Sequence, residues 1–331
     1  VMLYFLAAVR RKRDRSYAVP EKSGRASVDA KLTVALVAKE FPPHNTDLSL
    51  FTYRYAQALA ALGHQVHVIT TGKAGSDQDS GGFWLHRVRS RTSWFFELIR
   101  NSGFPESGAC LTHSYLVSKR LKTLARQFQF DIVECPECGA EGLLYYLRRS
   151  TPPFVVRFHT SEGFQHQLNA RQFTLDRLWV RTMERYWIAR AGAAIGVSTD
   201  IVRKYEHFYH FDFSGVQVIP YPAGPEWFAE AAIASGKKST TILFVGRLEL
   251  KNGPHVLLQA MPKILGQSPA ATFIFAGDDC GLQQHCEDIV ADLGLSQKVT
   301  FIAGLSHDQI VKQFRSATVC VFPALWENYP Y

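Results

Sequence analysis

The sequence predicts two α/β domains, each wound on both sides of a mainly parallel sheet. Three observations carry this expectation. From Lys31 onward, short runs rich in β-branched residues alternate with amphipathic stretches, the rhythm of strands feeding crossover helices. The alternation starts afresh near residue 240, after a stretch punctuated by Pro220, Pro222, Gly224 and Pro225. The chain has 331 residues, more than one ordinary core encloses.

Residues 32–37 (LTVALV) read as the first strand. A helix over 53–62 carries apolar residues at helical spacing and stops at Gly63. Strand character resumes over 65–70 and closes a βαβ unit. Further strands are expected at 84–88, 131–134, 154–158, 193–197 and 216–219, with helices such as 115–128 and 175–190 between them. The second series takes in 240–245, 272–276, 298–302 and 318–322, and a helix rises through 255–264. The expected domains are therefore 31–222 and 223–331. Residues 1–30 form a basic segment without a sustained pattern and are expected to be disordered and dispensable for folding. Within them an apolar stub, Met2 to Val9, precedes Arg10-Arg11-Lys12-Arg13. It reads as a membrane-surface anchor, a signal-like remnant or an upstream segment without structure, and the last reading is preferred.

Composition narrows the function classes. With 47% hydrophobic and 20% charged residues, the chain is globular. No apolar run reaches the roughly 18–20 residues that a bilayer crossing requires. The six cysteines are scattered rather than dense, which points to a reducing, cytoplasmic setting. Cys135 and Cys138 form a lone C-x-x-C, weak evidence for zinc without a second ligand pair, so no metal site is expected. The net charge of +8 invites a polyanion reading, but residues 1–30 supply half of it, with seven basic side chains against three acidic ones. Nucleic acid is therefore not an expected partner. No strand is followed by G-x-G-x-x-G and no Walker loop occurs, which argues against a dehydrogenase or an NTPase.

Ligands of open α/β sheets sit beyond the carboxyl ends of strands, so the residues there carry the candidate chemistry, and two such domains facing one another would form a cleft. Gly246-Arg247-Leu248-Glu249-Leu250-Lys251-Asn252-Gly253 lies directly after a strand and before a helix. Free N–H groups at a helix start, together with Arg247 and Lys251, suit a phosphate; the plainer alternative is a surface ion pair between Arg247 and Glu249. Phe322-Pro323-Ala324-Leu325-Trp326-Glu327-Asn328 follows the last strand, and a carboxylate there suits sugar hydroxyls or, alternatively, caps a helix start. Phe158-His159-Thr160 follows a strand of the first domain, where the histidine is either structural or part of the site.

Together these segments resemble the family 4 glycosyltransferases of the GT-B fold, retaining enzymes that use nucleotide-diphosphate sugars and build two Rossmann-like domains. Gly246-Arg247-Leu248 looks like that family's phosphate loop. Trp326-Glu327-Asn328-Tyr329-Pro330 resembles the start of its Glu-seven-residues-Glu motif, and Val155-Val156-Arg157-Phe158-His159-Thr160 its histidine segment. Val218-Ile219-Pro220 resembles its linker, and Asp131-Ile132-Val133-Glu134 with Gly139-Ala140-Glu141-Gly142 another recurrent stretch. The likeness covers about residues 31–331.

The resemblance implies roles. Gly246, Arg247 and Lys251 would hold the donor diphosphate. Lining up Gly253 with the family's glycine puts Asn252 where the lysine usually stands and Lys251 one residue early. Glu327 and Asn328 would meet the transferred sugar, and His159 would orient sugar or acceptor. Leu48-Ser49 stand where the family shows Gly-Gly approaching the phosphates, which makes Ser49 a donor-side candidate. The family's second Glu would fall eight positions after Glu327, beyond Tyr331, so the donor domain is expected to be incomplete. No cofactor is implied beyond the nucleotide-sugar donor substrate. The acceptor would be a glycan, a lipid-linked molecule or a small molecule, with peripheral membrane contact through the basic segment. Two rival readings remain: a non-catalytic sugar-nucleotide or glycan-binding relative, and a GT-B nucleotide-sugar epimerase.

Overall fold

Strands that are apolar along their whole length need cover on both faces, and the first sheet is built from such runs. The computed structural model describes residues 30–44, 46–72, 75–78, 81–89, 94–147, 152–222 and 240–329. It divides into two units: Val1–His166, Gln172–Pro222 and Asn328–Tyr331 in the first, Gln167–Arg171 and Ala223–Glu327 in the second. The expected basic segment lies, apart from Ala30, outside the described residues, as do Gly224 and Pro225 of the expected linker.

The first unit holds an eight-stranded sheet of β1 (Thr33–Val37), β2 (Gln65–Thr71), β3 (Gly75–Gln78), β4 (Trp84–Val88), β5 (Ile132–Pro136), β6 (Phe154–Phe158), β7 (Ala193–Gly196) and β8 (Gln217–Val218). Its order is β3-β4-β2-β1-β5-β6-β7-β8, and only the edge strand β3 runs antiparallel to its neighbour. The helices are α1 (Asp47–Ala61), α2 (Trp94–Asn101), α3 (Pro105–Leu124), α4 (Leu143–Tyr146), α5 (Glu162–Leu168), α6 (Leu175–Ile188) and α7 (Thr199–Tyr209). Thr46, Thr174 and Ser198 cap α1, α6 and α7 with their hydroxyls, each accepting from a backbone N–H of the first turn. The start of α3 has no cap of its own. Asp176 of α6 supplies it from another element, accepting from the N–H groups of Glu106 at 2.7 Å and Ser107 at 3.0 Å. The chain leaves β1 toward β2 on one side and returns to β5 on the other, so the ends of β1 and β5 form a topological switch point.

The second unit has four parallel strands, β9 (Thr241–Val245), β10 (Thr272–Ala276), β11 (Val299–Ile302) and β12 (Val319–Cys320), in the order β11-β10-β9-β12. Its described helices are α8 (Pro254–Gln267), α9 (Gln283–Asp292) and α10 (His307–Ser316). Phe244, Phe273 and Phe275 from the strands pack with Leu257, Leu258 and Met261 of α8 in its core. The switch point here lies between β9 and β12.

Differences from the expected elements have local causes. Helix α1 begins at Asp47 rather than near residue 53, because Thr46 caps it and Ser49, Phe51 and Thr52 bury its first turns. Helix α3 begins at Pro105 rather than near 115; its early buried residues are Ser107, Gly108 and Thr112, too small and polar to draw an apolar stripe. Strand β3, of sequence GSDQ, lacks any strand signature and is held by pairing with β4. The expected strands 216–219 and 318–322 shrink to two residues each. Among the described residues no helix is long and apolar enough to cross a membrane.

Candidate functional site

In the second unit, Gly246 to Gly253 link β9 to α8, and backbone contacts hold this loop from both sides. Gly246 N–H donates to Ala276 O and Leu248 N–H to Asp278 O, both at 2.9 Å, while Leu325 N–H donates to Lys251 O at 2.8 Å. Gly253 adopts a left-handed φ of 70° as the N-cap of α8, and a Cβ there would stand 2.1 Å from the carbonyl oxygen of Pro323. The loops after β9, β10 and β12 therefore interlock through main chain.

The side chains of this loop converge on one carboxylate. Glu249 is 5% exposed. Its Oε1 lies 3.0 Å from Arg247 Nη2 and 3.6 Å from Lys251 Nζ, and accepts from Asn252 Nδ2 at 3.4 Å. Its Oε2 accepts from Asn169 Nδ2 at 3.1 Å, Asn169 being one of the five residues Gln167–Arg171 that group with this unit. Asn169 Oδ1 also accepts from Lys251 N–H at 3.3 Å. Arg247 is half-exposed, whereas Lys251 and Asn252 are buried. The Arg247–Glu249 pair thus exists, but it is not a surface pair, because its acid lies inside the loop. Asn252, at the position matched to a lysine, turns inward and donates to Arg247 O at 2.9 Å. The ammonium of Lys251 joins Arg247 at the same oxygen, so Gly246, Arg247, Lys251 and Asn252 come together. Glu327 is exposed on the loop after β12, the strand beside β9, and follows the buried Trp326.

In the first unit, His159 follows β6. Its N–H donates to both oxygens of Glu137, at 2.8 and 3.0 Å, its Nδ1 meets the hydroxyl of Tyr221, and its ring stands edge-on to Phe51 at 5.1 Å between centroids. Burial, and then the nearby Arg157, hold its pKa well below the usual value, so the imidazole is neutral at pH 7. Glu137 is wholly buried, and burial pushes its carboxyl up to about 7 although the Tyr205 hydroxyl (2.7 Å) and backbone N–H groups pull the other way. Asn328, which groups with the first unit, donates from Nδ2 to His159 O and accepts from Ser198 Oγ at 3.5 Å.

A small cavity at the switch point is lined by Leu48, Phe51, Tyr55, Glu134, Arg157 and His159, among others. Its volume of about 10 Å³ has room for roughly one water. Arg157 Nε lies 2.6 Å from Glu134 Oε1, Tyr55 donates to Glu134 Oε2 at 3.2 Å, and the guanidinium stacks near the rings of Phe51 and Tyr55 at 5.0 and 4.9 Å. Burial opposes the charge on Arg157, yet Glu134 holds its pKa above the ordinary value. Of the Leu48-Ser49 pair, Leu48 lines the cavity. Ser49 is fully buried in the first turn of α1, its N–H donating to Thr46 Oγ1 at 3.2 Å, and the structure does not bring its side chain to the cavity. Cys138 donates to Glu162 Oε1 at 3.6 Å, and among the described residues no group of three or more histidine, cysteine or acidic side chains is placed to hold a metal ion.

Comparison with known proteins settles the family. The model of Glycosyltransferase Family 4 matches residues 48–225, more than half of the chain, and that of Glycosyl transferases group 1 matches 226–331. The chain belongs to glycosyltransferase family 4. An uncharacterized glycosyltransferase of Methanocaldococcus jannaschii is 25% identical to this glycosyltransferase over 314 residues, 90% of this chain and 76% of the relative. A D-inositol 3-phosphate glycosyltransferase of Nocardia farcinica is 24% identical over 302 residues, 85% of this chain but only 65% of the relative's length. Among solved structures, sucrose-phosphate synthase from Thermosynechococcus elongatus aligns with a TM-score of 0.63 at 17% identity, over 91% of this chain and 77% of that one. An Anabaena protein in complex with UDP and glucose aligns with a TM-score of 0.60 at 14% identity, over 90% and 75%. The fold is GT-B.

Sequence reasoning missed Tyr221, Glu137, Asn169 and the Glu134–Arg157 pair. The last had a signal. Each of the neighbouring strands β5 (IVECP) and β6 (FVVRF) carries a single charge of opposite sign inside an apolar run. Nothing in sequence spacing foretells the other three, which reach their partners from 62, 22 and 80 residues away.

Proposed function

We propose that this chain is a retaining, metal-independent transferase that moves a sugar from a nucleoside diphosphate to an acceptor, with the donor on the second unit. The observation that carries the reading is the pair Arg247 and Lys251 on one loop, at the carboxyl end of β9 and ahead of α8. Two cations before a helix N-terminus suit a diphosphate. The Anabaena structure with UDP and glucose, of the same fold, supports a nucleotide-sugar donor. As the bond from the sugar's anomeric carbon to the diphosphate oxygen breaks, its electron pair passes to that oxygen, and Arg247 and Lys251 stabilise the growing charge. The acceptor oxygen bonds the carbon on the same face, and its proton leaves with the diphosphate. No protein nucleophile is required. Glu327 would accept from sugar hydroxyls, and neutral His159 would orient the sugar or acceptor. The acceptor is a glycan, a lipid-linked molecule or a small polyol, and the likeness to a D-inositol 3-phosphate glycosyltransferase supports the polyol class. The six free thiols accord with a cytoplasmic place of work.

The test is a panel of nucleotide sugars incubated with candidate acceptors and followed by mass spectrometry, with and without EDTA. One donor should release its nucleoside diphosphate and pass its sugar on with unchanged anomeric configuration, equally well in EDTA. Inverted product, EDTA-sensitive turnover or no nucleotide binding would each refute part of this reading. An epimerase would instead return a nucleotide sugar of altered stereochemistry, with nothing passed to the acceptor. A binding relative without turnover draws on Leu48, which helps leave the cavity beside His159 room for about one water. Binding of nucleotide with no release of sugar would favour it.

A further inference from the structure

A carboxylate at the centre of an anion-binding loop calls for an explanation. Glu249 should repel a diphosphate, yet it is buried between the two cations that would bind one, and four side-chain donors converge on its two oxygens. A surface acid that merely balanced charge would be exposed and mobile, like the Asp200–Lys204 pair of α7, where both side chains are more than a third exposed. Here the acid is inside and Arg247 reaches out from it. The side chain of Arg247 is half-exposed, and the pair uses Nη2. A guanidinium has five N–H donors in a fixed fork, so contact with Glu249 through one nitrogen leaves the others for a ligand. Lys251 lies 3.6 Å from the same oxygen, and its own backbone N–H and C=O are held by Asn169 and Leu325.

We infer that Glu249 is a positioning residue, an internal counter-anion that holds Arg247 and Lys251 together and aimed before the donor arrives; this rests on the donor-site reading above. Without it two like charges four positions apart on one short loop would repel and spread. The interlocked backbone fixes where the loop lies, and Glu249 fixes where its cations point. It also explains how a lysine one position early still serves. Lys251 needs to reach the oxygen of Glu249, and the inward-turned Asn252 supports that oxygen from the place the lysine would have filled. Such aiming matters most when charge develops on the departing phosphate, so its loss should fall on turnover more than on binding.

The experiment compares wild type with Glu249→Gln, an isosteric change that removes the charge. Binding of UDP, GDP and ADP is measured by calorimetry at low and moderate salt, and kcat is measured as release of nucleoside diphosphate from UDP-glucose, GDP-mannose and ADP-glucose. The expected result is a kcat at least tenfold lower with nucleotide affinity within threefold of wild type. Affinity should fall more steeply with salt, because the loop is left with one more net positive charge. Affinity and kcat falling together would mean that Glu249 only builds the loop, and unchanged kcat would mean that it aims nothing; either overturns the inference. Wild-type protein that binds none of the three nucleotides overturns the donor-site reading itself and the inference with it. Should Glu249→Gln fail to fold, Asn169→Ala removes one donor while leaving the charge in place. A threefold or greater loss of kcat at unchanged affinity is then expected, and an unchanged kcat overturns the inference.

Discussion

Replacing Gly277 by alanine would place a methyl where the main chain of the loop over residues 246–253 already lies. A Cβ at this position would stand 2.0 Å from the carbonyl oxygen of Gly246, 2.6 Å from its carbon and 3.2 Å from the nitrogen of Arg247. Gly277 is itself tied by its N–H to Ile302 O at 2.9 Å, so the other loop has to give way. Ordinary contact begins at 3.4 Å, and the Gly246 carbonyl must therefore retreat by more than about 1 Å, an overpacking that costs roughly 1–3 kcal/mol. The retreat stretches the bonds from Gly246 N–H and Leu248 N–H, which lie on either side of Arg247. A misplacement of about 1 Å in a positioning group can lower turnover on the order of a hundredfold. The assay pairs a urea midpoint with nucleoside diphosphate release from the best donor. Gly266→Ala is the control, because Gly266 lies exposed in α8 with no atom within 4 Å of its would-be Cβ; it should leave turnover unchanged and add up to about 1 kcal/mol of stability. If Gly277→Ala kept turnover within threefold and an unchanged midpoint, the interlock would have no positioning role.

Arg247→Ala should weaken binding of the nucleoside diphosphate about ten- to a hundredfold, the worth of a charge-assisted hydrogen bond of roughly 1.5–3 kcal/mol, and unchanged calorimetric affinity would remove Arg247 from the site. Tyr221→Phe keeps the ring against Phe51 but removes the hydroxyl at His159 Nδ1, so turnover should fall about tenfold with little change in melting temperature, the worth of about 1.4 kcal/mol; full activity would mean that the tautomer of His159 is irrelevant. His67 is buried beside His86, and burial lowers the pKa of each to about 4. The unfolded chain takes up protons below about 6.5 that these rings refuse until about 4, so their contribution to stability is full above 6.5 and drains away as pH falls through that window. The stability of His67→Phe relative to wild type should therefore rise between pH 6.5 and 5, and a constant difference by chemical denaturation would contradict the buried, neutral ring.

What the sequence makes legible follows from which forces act locally. Strands such as β1 and β6 announce themselves because both faces are buried and every residue is apolar or nearly so. The polar β3 and the small-residue start of α3 do not, since pairing with the following strand β4 holds the first and Asp176, about seventy residues on, the second. The same division runs through the site. Arg247, Lys251 and His159 could be named as candidates from strand, loop and helix order together with a family likeness. The contacts that hold Glu249 and the backbone of Lys251 come from Asn169, about eighty residues away, and no local pattern encodes that meeting.

The interlock of glycines and carbonyls around the loop over residues 246–253 bears on how such a protein diverges. Gly246 against Gly277, Gly253 against Pro323 and Lys251 against Leu325 meet through atoms that every residue, or glycine alone, provides. The cradle is thus written in main chain, and its shape survives exchange of most side chains that hang from it. A lineage can then shift a lysine by one position, or trade the residues that would meet a sugar, without rebuilding the scaffold. Solved structures share the fold at 14–17% identity. In this chain the least negotiable letters are Gly253 and Gly277, where any side chain would collide with the main chain of Pro323 and Gly246.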